Sequence, residues 1–291
     1  MRLPRQSNNP TINQQLNKIM KYNTVLTIAG SDSGGGAGIQ ADIKAISASG
    51  SYAASAITAI TAQNTLGVID VMPIPTNIIT SQIDAVLSDI GANAIKIGMM
   101  HSSEVIKEVK KTLEKYNIPK IVVDPVMIST SGHRLIEESA VEALAKVLIP
   151  ISSIITPNIP EAEILLGRKL QNVDQMRIAA KELSMTLSDG KIAVLIKGGH
   201  LRDSNEICDL LYDPTDKETY MFKGTKFDTP NTHGTGCSLS SAIAAHLSQS
   251  KSIYEAVEKA EAYIDTAIES GSNYTIGKGH GPIDHFYMIK K

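Results

Sequence analysis

Short apolar runs alternate with longer helical patterns from Val25 to Ile196, and this alternation restricts the fold more than any other feature of the chain. Val25-Leu26-Thr27-Ile28-Ala29 reads as a strand. It ends in the loop Gly30-Ser31-Asp32-Ser33-Gly34-Gly35-Gly36-Ala37-Gly38, after which Ile39, Ile43 and Ile46 recur at helical spacing. The unit repeats, with strands expected over 52–61, 94–99, 121–123, 154–155 and 193–196. Helices are expected over 78–88, 104–116, 140–147, 161–166 and 173–183. Strands that are apolar almost throughout are covered on both faces, and strands joined through helices run parallel. Residues 207–222 break the rhythm. Leu210-Leu211-Tyr212, the turn-like Asp213-Pro214-Thr215-Asp216 and Tyr220-Met221-Phe222 read as a hairpin. Helices over 236–247 and 253–270 follow. The expected fold is α/β, a mainly parallel central sheet with helices on both faces and a small antiparallel edge.

No Pro/Ser-rich linker or internal repeat divides the chain, so residues 22–291 are read as a single domain. Residues 1–21 are rich in Asn, Gln and Lys, lack the apolar core of a secretory signal, and read as a flexible polar extension. A formal net charge of −2 and the absence of Lys/Arg runs argue against a nucleic-acid partner, which needs a basic footprint. No apolar run approaches the roughly 20 residues of a membrane span. Cys208 and Cys237 are the two cysteines, without CxxC spacing, so neither a disulfide framework nor a zinc site is indicated and a reducing cytoplasm is expected.

In an open sheet of this kind ligands sit beyond the carboxyl ends of the strands, so the loops that follow strands should hold the chemistry. Gly36-Ala37-Gly38-Ile39-Gln40-Ala41 matches the dinucleotide pattern G-x-G-x-x-A. That reading also needs an acid about 20 residues on, and no Asp or Glu occurs from Ile43 through Ile69. A Walker phosphate loop is excluded because the chain has no Gly-Lys-Ser or Gly-Lys-Thr.

Asn231-Thr232-His233-Gly234-Thr235-Gly236-Cys237 offers a different anion site. It leads into the small and apolar run 238–247, a buried helix whose N-terminal amides and dipole face the loop. Glycines at 234 and 236 let an anion approach those amides. A thiol in the first turn sits where the dipole lowers its pKa, which makes Cys237 a candidate for proton transfer; a small buried core residue is the plainer reading. His233 is either a ligand-facing donor or a loop residue bonded to backbone.

Asn158-Ile159-Pro160-Glu161 follows a strand and opens a helix. Its carboxylate, with Asp124 at another strand end, can hold a magnesium ion or serve only as a helix-start and a turn residue. Lys197 ends an apolar strand before two glycines, where its ammonium could neutralise phosphate. Lys96, inside a strand, reads as structural. Phosphoryl transfer needs an anion cradle, cations, a positioned acceptor and a group to take its proton, and strand-end loops supply candidates for each.

Several segments together resemble the ribokinase-like superfamily, and within it the hydroxymethylpyrimidine/phosphomethylpyrimidine kinases. They are 26–42, Thr61-Ala62-Gln63-Asn64-Thr65, Lys96-Ile97-Gly98-Met99, Asp124-Pro125-Val126-Met127, Thr156-Pro157-Asn158 with Glu161, Lys197-Gly198-Gly199-His200, Thr232-His233-Gly234-Thr235-Gly236-Cys237 and Gly279-His280-Gly281-Pro282. The match runs from about Val25 onward. The resemblance implies phosphorylation of 4-amino-5-hydroxymethyl-2-methylpyrimidine and then of its monophosphate, with ATP and Mg2+ and by a homodimer. It implies that Gly30, Asp42, Gln63 and Met99 line the pyrimidine site, and that the Gln63 amide, donor and acceptor at once, pairs with the aminopyrimidine edge. Asn158, Lys197 and His233 would meet the nucleotide, and Asp124 and Glu161 the metal. Gly234, Thr235 and Gly236 would hold the moving phosphoryl group, with Cys237 where sugar kinases of the superfamily have an aspartate base. Many relatives carry Asp where this chain has Asn231, and many carry a flap lysine where it reads Ser129-Thr130-Ser131-Gly132-His133. Pyridoxal kinases of the same superfamily are the nearest alternative; a nucleotide- or vitamin-binding regulator without turnover is a remote one.

Overall fold

Nine residues, Thr24–Asp32, form strand β1, and all but Ser31 are buried. That burial fits a strand at the centre of a sheet with helices on both sides. The computed structural model describes residues 21–127, 137–199 and 207–289. Residues 1–20 of the polar extension, the flap at 129–133 and His200 lie outside the described residues.

The chain continues through α1 (Gly38–Ala48), β2 (Tyr52–Asn64), β3 (Gly67–Pro73), α2 (Thr76–Asp89), β4 (Ala94–Ile97) and α3 (Ser103–Leu113). Next come β5 (Ile121–Val123), α4 (Glu138–Ala143), β6 (Ile154–Ile155), α5 (Ile159–Leu166), α6 (Val173–Ser188) and β7 (Ala193–Ile196). Strands β8 (Ile207–Asp213) and β9 (Glu218–Gly224) precede helices α7 (Thr235–Ser248) and α8 (Ile253–Gly271). Helix α4 runs on as wider turns through Leu144–Leu148 and a tight turn at Ile149–Ile151.

The strands form a single sheet in the order β3-β2-β1-β4-β5-β6-β7-β8-β9. The six strands from β2 to β7 in that order pair parallel. β3 pairs antiparallel with β2, and β8 and β9 add an antiparallel hairpin to β7. Antiparallel strands therefore close both edges, one more than the expected hairpin edge. The sequence reading passed over β3, most of whose residues are exposed.

Alternation along each strand divides the core in two. Leu26, Ile28, Ile95, Ile97, Val123 and Val194 pack against α2 to α6. Val25, Ala94, Val122, Ala193, Leu195 and Leu211 pack against α7 and α8 and the inner face of α1, where Ala45 and Ile46 lie. Thr27 and Lys96 share the phase of Val25 and Ala94, so they point toward α1 and α7. The chain leaves β1 for β2 on one side and returns to β4 on the other. This reversal opens a crevice at the carboxyl ends of β1 and β4, and the loops in question meet there. Among the described residues no helix is long and apolar enough to cross a membrane.

Candidate active site

The first glycine loop is organised by an acid from the end of β1. Asp32 Oδ1 accepts the amide of Gly34 at 2.8 Å, and Oδ2 accepts those of Gly36 at 3.1 Å and Ala37 at 2.8 Å. The carboxylate thus takes the amides that a dinucleotide pyrophosphate would need, a physical reason for the G-x-G-x-x-A pattern to bind none. Burial works against the charge, but the hydrogen bond from His233 and those from Ala37 and Gly34 hold the Asp32 carboxyl below the usual carboxylate range. Asp32 was not singled out from sequence. Its signal was there, because Asp followed by Gly two residues on is a common Asx turn.

Beside this loop lie the expected acceptor residues. Gln63, at the end of β2, has its backbone N–H bonded to Ser33 Oγ at 2.8 Å and its side chain turned to Thr61 and His233. Met99 follows β4, is held through its carbonyl by Thr58 Oγ1 at 2.8 Å, and covers Gly30, where a Cβ would come within 2.6 Å of the Met99 methyl. Gly30, Gln63 and Met99 are therefore brought to one crevice. Asp42 is not an open wall of it. Its carboxylate is fully buried and bound by Lys96 Nζ at 2.9 and 3.0 Å, Thr27 Oγ1 at 2.6 Å and Ser241 Oγ at 2.8 Å. That acid ties α1 to β4 and α7, and a partner 54 residues away was not visible in the sequence.

The two glycine loops touch. Gly234 caps α7 with φ 79°, and a Cβ there would collide with the Gly36 carbonyl oxygen. Only glycine meets both demands. The His233 ring reaches across to Asp32 Oδ2 at 3.0 Å, and its backbone N–H donates to Gly281 O at 3.0 Å. The structure thus places His233 beside Asp32 and Gln63, on the acceptor side of the loop.

Cys237, in the first turn of α7, is half-buried and free. Contrary to the expectation from the dipole, its thiol is pushed up to about 11. Burial is the largest cause; Lys96 pulls the value down, Asp42 and Asp124 push it up, and the Gly38 amide draws it down again.

On the other side of the α7 N-terminus stand the cationic and acidic groups. Lys197 Nζ donates to Asp124 Oδ1 at 2.9 Å. A Cβ on Gly236 would lie 3.2 Å from that ammonium, so the loop backbone and Lys197 border one space. Burial opposes the Lys197 charge, but Asp124 and Glu161 hold it above its ordinary value. Asn158 and Glu161 form a reciprocal cap on α5, with Glu161 Oε2 accepting the Asn158 amide at 2.8 Å and Asn158 Oδ1 accepting the Glu161 amide at 2.9 Å. Glu161 is 3% exposed and pushed up to about 7, first by burial; Lys197 lowers the value and Asp124 raises it. Asn158, Lys197, Asp124 and Glu161 are thus one cluster. The Asp124 and Glu161 carboxylates are a donor set of the kind that holds a metal ion together with phosphates.

A model of the phosphomethylpyrimidine kinase family matches residues 32–284. The chain is 45% identical over 275 residues to the chloroplastic thiamine biosynthetic bifunctional enzyme of Arabidopsis thaliana, an alignment that covers 94% of this chain and 52% of that protein. It is 45% identical to the hydroxymethylpyrimidine/phosphomethylpyrimidine kinase of Rhizobium meliloti, over 90% of this chain and 96% of the relative. The chain therefore spans about half the length of the bifunctional relatives. Among solved structures, phosphomethylpyrimidine kinase from Clostridium difficile 630 superposes with TM-score 0.74 at 47% identity, covering 84% of this chain and 99% of that one. Pyridoxal kinase from Staphylococcus aureus in complex with ADP superposes with TM-score 0.83 at 36% identity, covering 92% and 95%. The sheet with its flanking helices is the ribokinase-like fold those kinases share, and the chain belongs to the phosphomethylpyrimidine kinase family of phosphotransferases.

Proposed function

We propose that this chain transfers the γ-phosphoryl group of ATP to 4-amino-5-hydroxymethyl-2-methylpyrimidine and then to the resulting monophosphate, a step of thiamine biosynthesis. The observation that supports this most directly is the meeting of two half-sites at the α7 N-terminus. An acceptor crevice of Gly30, Gln63 and Met99 lies on one side, and Lys197 with Asp124 and Glu161 on the other.

In this reading Gln63 pairs with the aminopyrimidine edge while Met99 packs on the ring. The Gly234-Thr235-Gly236 turn faces the moving phosphoryl oxygens; the Thr235 amide donates to Thr232 O at 3.3 Å, so the amides of Gly234 and Gly236 are the fixed donors that stabilise charge without reorganising. Lys197 neutralises the triphosphate from the opposite wall, and Asn158 borders the nucleotide. Asp124 and Glu161 would hold Mg2+, directly or through water, and the ion would screen the phosphate charge. Cys237 stands at the acceptor end of the loop to take the hydroxyl proton as thiolate. Its thiol must first give up its own proton, so the step is one of a minor population at neutral pH.

We place the enzyme in the cytoplasm, where cysteine thiols such as that of Cys237 stay reduced, and as a homodimer. The β3 edge exposes Ile69, Val71 and Met72, with Leu66 exposed in the turn before it, an apolar strand edge of the kind that pairs with another chain.

The test is a kinase assay with Mg2+ and ATP that offers the hydroxymethylpyrimidine, its monophosphate and pyridoxal side by side, with products resolved by mass. Formation of the pyrimidine mono- and diphosphate is expected, and chelation of the metal should abolish it. The similarity to pyridoxal kinase from Staphylococcus aureus favours pyridoxal as the second reading; phosphorylation of pyridoxal alone would replace the first.

A further inference from the structure

His233 Nε2 lies 3.0 Å from Asp32 Oδ2 and 3.2 Å from the Gln63 amide nitrogen. The opposite end of that amide, Gln63 Oε1, is 3.2 Å from Thr61 Oγ1. One imidazole nitrogen cannot satisfy both neighbours as placed. With a proton on Nε2 it donates to Asp32 and confronts an N–H of Gln63. Without the proton it accepts from Gln63 and turns a lone pair on a carboxylate.

The surrounding contacts decide between the two. Asp32 is held as an ionised acceptor by the Gly34, Gly36 and Ala37 amides, so Nε2 keeps its proton. Thr61 Oγ1 spends its own hydrogen on Ser31 O at 2.8 Å, which leaves it able to accept from an amide N–H. Both neighbours are satisfied only when the Gln63 amide is turned about, oxygen toward His233 and nitrogen toward Thr61. The two ends of an amide are told apart by this kind of network.

We propose that His233 is a positioning residue for the acceptor: by holding the Gln63 amide with its oxygen on the anion-loop side, it fixes which way round the pyrimidine lies. The inference rests on the aminopyrimidine reading of the substrate. The exocyclic amino group must donate to the amide oxygen and so lies toward His233, while the ring nitrogen accepts from the amide N–H on the Thr61 side. The hydroxymethyl group is on the ring carbon next to the amino-bearing one, beyond the amino group from that nitrogen. This orientation therefore carries the hydroxymethyl toward Gly234, the residue that follows His233 and opens the phosphoryl-binding turn. The reversed amide would turn the hydroxymethyl away from the site of transfer.

The test compares kcat/KM for 4-amino-5-hydroxymethyl-2-methylpyrimidine with that for its analogue lacking the amino group, in the parent and in His233→Phe, His233→Gln and Gln63→Ala. His233→Phe should reduce the preference for the amino substrate by about tenfold, the effect of unpairing one partly buried donor and acceptor, with KM for ATP unchanged. His233→Gln, which can place a donor near the Nε2 position, should keep most of the preference. Adding His233→Phe to Gln63→Ala should reduce it little further, because the two residues act as one unit. An unchanged preference in His233→Phe, an equal loss in His233→Gln, or additive losses in the double variant would each overturn the proposal. If the parent phosphorylates only pyridoxal, the substrate reading fails and this inference with it.

Discussion

Lys96 Nζ lies 2.9 and 3.0 Å from the two carboxylate oxygens of Asp42, and both side chains are fully buried between β4, α1 and α7. Burial opposes the Lys96 charge, yet Asp42, with smaller contributions from Cys237 and Asp124, holds the ammonium well above its ordinary range. Removing one partner of such a pair leaves the other charged and dry. Lys96→Met should lower unfolding free energy by about 3–5 kcal/mol, read from the urea midpoint. Lys96→Met with Asp42→Leu should recover most of that, less the hydrogen bonds that Thr27 and Ser241 then lose. Equal losses in the single and double variants would show that packing, not charge, is what the pair supplies.

The thiol of Cys237 is pushed up to about 11, so the thiolate fraction rises about tenfold per pH unit through the neutral and moderately alkaline range. If the thiolate takes the acceptor proton, kcat should climb with pH in that range. Cys237→Ala should lower kcat by about 100-fold, the lower end of what a positioned base contributes, and abolish the climb. Cys237→Asp should restore part of the rate and flatten the profile. A rising limb that survives in Cys237→Ala would assign the proton to another group.

Asp209, behind the Lys197 strand, accepts the Gly198 amide at 2.7 Å. Its carboxyl is pushed up to about 6, by burial first and by Asp265, against the Gly198 amide, Lys197 and Glu261. Glu261, raised by burial and by Asp209 itself, shifts in the same direction. A raised folded pKa means the native state holds its proton more tightly than the unfolded chain. Stability from this group is complete below about 4 and is lost as pH rises through 6. His285, lowered to about 4 chiefly by burial, acts in the opposite sense below about 6.5, so the informative comparison is between variant and parent. Asp209→Asn keeps an acceptor for Gly198 and drops the charge. Its stability relative to the parent should improve between pH 5 and 8 in urea melts; a constant difference would deny the carboxyl its raised pKa.

Much of this architecture was legible because apolar strands buried on both faces announce themselves. Ala193–Ile196 is delimited as read, and the hairpin around Asp213-Pro214 stands where its turn residues put it. β3 was not legible, since Gly67–Pro73 is an edge strand whose exposed residues need no apolar pattern. In the site, strand-end position alone brought Asp124, Asn158, Glu161 and Lys197 together, because a parallel sheet aligns the ends of its strands. What escaped depends on side chains meeting across the fold: Asp42 with Lys96, and His233 with an Asp32 that lies 201 residues before it. The helix position of Cys237 was visible, but the desolvation that outweighs its dipole was not.

Asp is the nearest isostere of Asn231, and the contacts of Asn231 decide between the two. Its Nδ2 donates to Gly271 O at 2.9 Å and to Tyr274 O at 2.6 Å, and the residue is 5% exposed. Gly271 ends α8, so its carbonyl carries the negative end of the helix dipole. A carboxylate at 231 would face two carbonyl oxygens with no hydrogen to share. Asn231→Asp should therefore cost about 2–3 kcal/mol at neutral pH, seen as a lower urea midpoint. Part of that should return below about pH 5, where a protonated acid can donate once. Because His233 lies two residues on and is fastened to Gly281 O at 3.0 Å, kcat should fall as well. A variant as stable and as active as the parent would mean that the α8 terminus rearranges to accept the acid, and that Asn231 does not hold the anion loop in place.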